Sequence, residues 1–385
     1  MDWKPWLSRW SAEWVRSAEP DELDPDVQRE RWLGFAPASE AAIAATEARL
    51  GQPLPPSYRD FLLTTDGWRH AGCFVWRMRD TADLGWLRDI EPYWEEWEDL
   101  SDAEPDPDGG NKFSRGLMIS RDADAGILFL DPGDVDESGE WAAYSLFSWR
   151  AEPPTRFASF TALMESLYAE FHEMRQPEGE TRDEWDAKVE QARLAALAGD
   201  VDGAATVLAQ AEEFGRDRAT VLLAQLHLLL GQEYQASQSL RRLLRQVPDG
   251  FLADPLFTDE LMPWLLTEHA RSATGYRHSV LQTAMYGERP EIQLAIGEGQ
   301  ARLRREGPRP NFGNPAFDRL ARTALAEHAD DPDTLWQAIR TALAQWQPRS
   351  VDHIAPVALL ADPALAATFT REHGRELLTR PRGDR

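Results

Sequence analysis

The side chains whose types and spacing come nearest to a chemistry are acidic. Asp122 and Asp124 precede Gly126, and Asp131, Asp134 and Asp136 cluster in the stretch DPGDVDESGE. Grouped carboxylates can hold a divalent cation, or at suitable separation act as an acid and base in hydrolysis. The spacing argues against both. A calcium loop needs a defined ligand series closed by a bidentate carboxylate, and Asp beside Gly and Pro is the ordinary make-up of a turn. Cys73, the only cysteine, follows His70 by three residues. A thiol nucleophile needs a base that a third group orients, whereas a thiol between Gly72 and Phe74 in a buried strand behaves as a small apolar group. His227 lies in a leucine-rich helix and reads as a packed histidine. The sequence contains no GxSxG, HExxH or phosphate-binding glycine loop. The expectation is a protein without catalytic, cofactor or metal site, not an enzyme.

Composition sets the frame in which these side chains sit. The 385 residues allow two or three domains, and a hydrophobic content of 42% is enough for packed cores. No apolar run approaches the ~20 residues that span a bilayer, and the N-terminus lacks the apolar region of a signal peptide. A single cysteine cannot form an internal disulfide framework, so a cytoplasmic protein is expected. The net charge is -25, and it is unevenly placed. Through Trp185 the chain carries 39 acidic and 18 basic residues, against 27 and 23 beyond it. Such a field disfavours nucleic acid and anionic membrane as partners of the N-terminal half, and steers basic ones towards it.

Local patterns supply the elements. Trp3, Trp6, Trp10 and Trp14 recur at three- and four-residue steps and predict a helix with stacked indoles, docked on its own domain. A Pro- and acid-rich linker, EPDELDPD, follows. Ser39 is placed to cap a helix carrying Ile43, Thr46, Glu47 and Leu50, which Gly51 ends. After Pro53, Pro55 and Pro56, Ser57 is expected to cap a second helix with Tyr58, Phe61 and Leu62 on one side, closing at Asp66-Gly67. GCFVWRM, LMIS, GILFLD and EWAAYSLFSW read as strands, with DPGDVDESGE as a turn. FASFTALMESLYAEFHEM closes the region as a helix. Two helices, several strands and one helix make an α+β arrangement.

The ordered set Leu50-Gly51, Leu54-Pro55, Ser57-Tyr58, Phe61-Leu62 and Asp66-Gly67 closely resembles the signature of the SUKH superfamily, the group of the cell-wall-assembly regulator and bacterial toxin-immunity proteins. The resemblance covers roughly residues 30 to 175. It implies an α+β fold with a mixed or antiparallel sheet and flanking helices. It also implies an immunity protein that neutralises a toxin effector. The signature residues are core and turn positions rather than a site.

For such a role the acidic, aromatic stretch Glu91, Trp94, Glu95, Trp97, Glu98 and Asp99 is the candidate partner-binding surface. Glu91, Glu95 and Glu98 share one face if the segment is helical. Equally open is a solvated acidic helix with both tryptophans packed inward.

The second half is helical. Gly199 and Gly231 lie 32 residues apart, each opening a turn between paired helices, and Ala204 and Ala236 each follow five residues later. This resembles about two tetratricopeptide units, with a plain helical bundle as the alternative. Arg302, Arg304, Arg305 and Arg309 form a basic helix end. The expected divisions are 1–29, a Trp-rich helix and acidic linker; 30–178, the SUKH-like domain; 183–250, helical hairpins; and 251–385, a further helical region with a C-terminal cap. The leading expectation is a non-enzymatic protein that binds a basic toxin domain through its acidic, aromatic surface. The alternative is a regulatory or scaffold protein that holds a cellular client in its helical repeats.

Overall fold

The structure is a computed structural model; it describes residues 1–97, 111–272, 279–287, 289–307 and 310–382. The chain divides into two compact units, Met1–Asp183 and Glu184–Arg385.

The first unit is α+β. Four helices, α1 (Trp3–Ser17), α2 (Pro25–Glu30), α3 (Glu40–Leu50) and α4 (Pro56–Thr64), precede the strands. Strands β1 (Val75–Met78) and β4 (Ser120–Ala123) pair antiparallel as a two-stranded sheet. Strands β2 (Gly85–Trp86), β3 (Leu117–Met118), β5 (Gly126–Val135), β6 (Trp141–Phe147) and β7 (Thr155–Phe157) form an antiparallel sheet in the order β2-β3-β5-β6-β7. The stretch expected as one long turn behaves differently. β5 runs on through Asp131 to Val135 with a register irregularity, and the reversal is confined to Asp136–Gly139. Every residue of β6 is buried, so both faces of the sheet are covered there. One face meets Leu87, Trp94, Phe113 and Phe129. The helix Phe160–Arg175 also packs against β6.

The N-terminal helix is part of this unit's core. Trp3, Trp10 and Trp14 are buried, and Trp3 sits 5.4 Å from Phe61 and 5.5 Å from Phe160 between ring centroids. The helical spacing of the indoles thus serves packing, as amphipathic periodicity usually does. A buried polar network ties α1 to the closing helix. Glu13 accepts hydrogen bonds from the Tyr168 hydroxyl and from the Thr181 amide at 3.0 Å, and its Oε2 lies 3.0 Å from His172 Nε2. Burial alone would raise the Glu13 pKa. The bonds from His172, Tyr168 and Thr181 outweigh it and hold this carboxyl below the ordinary value.

The signature residues occupy core and turn positions. Leu50 ends α3, and Gly51 adopts the left-handed φ of 79° that a C′ residue needs. Leu54 is buried, and its amide donates to Glu47 at 3.0 Å. Tyr58, Phe61 and Leu62 are fully buried, with Tyr58 and Phe61 against Phe160. Asp66 accepts from the amide and hydroxyl of Thr81 at 2.7 and 2.9 Å, fixing the chain beyond β1. Gly67 has φ 100°, and the Met78 carbonyl lies 3.2 Å from where a Cβ would stand. Ser57 departs from expectation. The helix begins two residues earlier, with Pro55 at the N-cap and Pro56 at the first position, so Ser57 does not cap it. Its amide and hydroxyl instead bind the Glu140 carboxylate.

The second unit is all helical. Helices Glu180–Ala198 (its first residues lie in the preceding unit), Val201–Glu213, Asp217–Leu229 and Glu233–Arg245 follow one another across short turns. Gly199 and Gly231 take positive φ at two of these turns, and Ala204 and Ala236 are buried in the helices that follow. Asp217–Leu229 is buried on nearly every side and packs against both of the helices after and before it in the hairpins. Its Gln225 holds an extended part of the same chain: Nε2 donates to the Asp352 carbonyl at 2.7 Å, and Oε1 accepts from the Ile354 amide at 2.8 Å. Arg382 is tied into the second unit. This buried guanidinium donates to the carbonyls of Ala196, Ile354, Leu377, Leu378 and Arg380, and burial lowers its pKa to about 10. Ala196, Leu377 and Leu378 lie in the last turns of two helices, where unpaired carbonyls favour a cation.

Candidate partner-binding surface

Residues 91–97 lie beside β2 and do not form the single helix that would align three glutamates. A short helix ends at Ile90, Glu91 breaks it at φ -139°, and Pro92–Glu96 continues as a 3-10 turn. Pro92 explains the break, since it lacks an amide and disfavours the helical region for the residue before it. Glu98 and Asp99 lie outside the described residues.

Within this segment the aromatic residues take different parts. Trp94 is buried, and Trp97 is half-buried against the cluster of Leu87, Phe113, Phe129 and Tyr144. Trp94 donates its indole N–H to Glu91 at 2.7 Å, and the Tyr93 hydroxyl donates to the same oxygen at 3.1 Å. Burial and the Glu91 charge push the Tyr93 hydroxyl up to about 12, so it stays a donor at neutral pH. Glu91 is thus a brace for two aromatic rings. What the segment presents to solvent is Tyr93, 54% exposed, with Glu96 and the half-buried Glu95. Tyr93 is the residue that helical spacing alone overlooks. The Tyr-Trp pair after Pro92 was its signal, because a 3-10 turn splits neighbours between inside and outside.

The carboxylates grouped near β5 are engaged in structure. Asp131 is buried and makes a bidentate pair with Arg115 at 2.5 and 2.8 Å. Asp134 pairs with Arg156 at 2.6 and 2.7 Å and accepts from Tyr144, and Asp136 closes the Asp136–Glu140 turn. Asp122 and Asp124 are exposed on and beside β4. Among the described residues no group of three or more His, Cys, Asp or Glu side chains is arranged to hold a metal ion.

Cys73 precedes β1 rather than lying in it, and is half-buried. Burial and the nearby Glu170 push its thiol up to about 12, far from a nucleophilic thiolate at neutral pH. His70 stacks on Trp14 at 4.7 Å, and burial lowers its pKa. His227 is likewise lowered by burial. In the second unit Arg302 pairs with Asp259 at 3.0 Å, Arg304 and Arg305 are exposed in the last turn of the helix Pro290–Glu306, and Arg309 lies outside the described residues. A pocket of about 270 Å³ there is walled by Met262, Leu266, Leu303 and Pro310. No helix among the described residues is long and apolar enough to cross a membrane.

No curated protein and no solved structure matches the chain. Residues 37–166 do match a family model, and these bounds enclose α3, α4 and both sheets. That region, about a third of the chain, is similar to the SMI1 / KNR4 family (SUKH-1), so the N-terminal half of this protein carries a SUKH region.

Proposed function

We propose that this chain is a non-enzymatic, cytoplasmic immunity protein that binds and neutralises a toxin effector. SUKH domains are of immunity or regulator type, are generally non-catalytic and mediate protein–protein interaction. The observation that carries the finer reading is the SUKH match lying within the strongly acidic half of the chain. A net charge of -21 through Trp185 accelerates encounter with a basic protein and repels nucleic acid, which such a toxin would otherwise bind. The surface at Glu91, Tyr93, Glu95 and Glu96, with Trp94 and Trp97 as its packed base, supplies a braced aromatic contact within an acidic rim. Glu98 and Asp99 continue the acidic run in sequence. Bracing favours binding, because a side chain already held loses less freedom at the interface.

The scaffold reading is weakened by Gln225, a polar group buried in the central hairpin helix. Residues 352–354 of the same chain already satisfy its amide, so a client strand would have to displace them.

Deleting the gene in its host and exposing the cells to any toxin effector found encoded beside it tests the proposal. Immunity predicts loss of resistance, restored by the wild-type gene. Full resistance without the gene overturns the reading.

A further inference from the structure

A second aromatic surface of the first unit lies where the two-stranded sheet meets the end of β6. Trp76 on β1 is 51% exposed and Trp149, just after β6, is 48% exposed. Val75 is buried, Phe74 precedes β1, and the register irregularity between Val75 and Arg77 falls at Trp76, which is left exposed. Phe74 contacts Trp149 at 4.9 Å and Phe147 at 5.9 Å between centroids. Trp149 is held, not loose: its indole N–H donates to the Asp124 carbonyl at 3.0 Å. Arg150 lies over the Phe147 and Trp149 rings, each at 5.0 Å, and pairs with Glu170 at 3.1 Å. An exposed tryptophan fixed as Trp149 is, with Trp76 exposed nearby on β1, is unusual on a surface that only meets water. Such residues are the composition from which interface anchors are made.

The charges beside this patch determine what fits it. Asp122 and Asp124 sit on and next to β4, paired across from Arg77 and Phe74, and Glu152 follows Trp149 by three residues. All three are exposed, and among the described residues none of their carboxylates has a hydrogen-bonding or cationic partner. Of the cations beside the patch, Arg150 is paired with Glu170, Arg121 with Asp83, and Arg77 lies over the Phe35 ring. Unpaired carboxylates next to half-exposed indole rings match a guanidinium or ammonium group, which takes the exposed part of a ring on one side and a carboxylate on the other. The excess acidity of this half of the chain acts in the same direction over longer range.

We infer that Phe74, Trp76 and Trp149, with Asp122, Asp124 and Glu152 beside them, form a docking surface for an arginine- or lysine-bearing segment of a partner protein. This goes beyond the proposed function. It holds for any basic partner, and it places a contact surface apart from residues 91–97.

The test uses the full chain and a fluorescent nine-residue peptide of alternating arginine and glycine, with a glutamate–glycine peptide as the charge control. Anisotropy should show binding of the arginine peptide only. Trp76→Ala and Trp149→Ala should each weaken it about tenfold. Asp122→Asn with Asp124→Asn should weaken it several-fold while leaving the rings intact, which keeps the test decisive should a tryptophan variant misfold. Asp60→Asn with Glu137→Gln, exposed carboxylates outside both surfaces, should leave the Kd within about twofold. No binding by wild type, wild-type binding by all the patch variants, or equal loss in the Asp60 and Glu137 variant would overturn the inference. The gene-deletion result is independent of every one of these outcomes.

Discussion

The Glu140 carboxylate closes the N-terminus of α4 from 83 residues away, accepting the Ser57 amide at 2.7 Å on one oxygen and the Ser57 hydroxyl at 2.6 Å on the other. An anion at that position meets both an unpaired helix amide and the positive end of the helix dipole. Because Pro55 at the N-cap offers no side-chain acceptor, Glu140 takes over that task. Glu140→Ala should cost about 1–3 kcal/mol, and Ser57→Ala less, since the backbone amide keeps its partner. Urea unfolding of the full chain, followed by tryptophan fluorescence, measures both. A Glu140→Ala loss under roughly 0.5 kcal/mol would show that the contact adds nothing.

Tyr58 gives the opposite prediction at a signature position. It is fully buried against Phe61 and Phe160, and its hydroxyl has no hydrogen-bond partner among the described residues. Burial pushes its pKa well above the ordinary tyrosine value. Tyr58→Phe should therefore be neutral or stabilising by up to about 1 kcal/mol, because it removes an unpaired buried polar group while keeping the ring. A loss larger than about 1 kcal/mol in thermal or urea unfolding would mean that the hydroxyl is bonded in solution.

Much of this architecture is legible in the sequence, and the exceptions have physical causes. Trp3, Trp10 and Trp14 announce a buried helix face because helical spacing and size leave them nowhere else to go. Gly51 and Gly67 are readable because a positive φ selects glycine. Glu140 is invisible as a cap, since its partner is brought close only by the folded β5–β6 hairpin. The split between Trp94 and Tyr93 depends on Pro92 starting a 3-10 turn, which periodicity counted at 3.6 residues misplaces. Arg382 reads only as part of a C-terminal cap, and its buried role appears only when the ends of two helices meet around it.

The Glu13 network predicts a pH dependence. Its folded pKa lies below its unfolded value, so its contribution to stability is fully present above the unfolded pKa and is lost as pH falls through the folded one. With an unfolded glutamate near about 4.3, stability should begin to fall below about pH 5. Glu13→Gln should be less stable than wild type at pH 7, and the gap should shrink towards pH 3. Urea midpoints across that range measure it; a gap that stays constant would remove Glu13 from the acid response.

Calorimetric titration of the purified chain against a toxin domain found encoded beside its gene is the most direct test of toxin neutralisation. The account predicts tight binding that weakens from about 50 mM to about 500 mM salt, as screening of an acidic surface requires. It also predicts that Glu95→Lys weakens binding and flattens this salt dependence, while the fold is unchanged by circular dichroism. Absence of binding by the wild-type chain would contradict the account; binding that ignores both salt and Glu95→Lys would contradict its acidic surface.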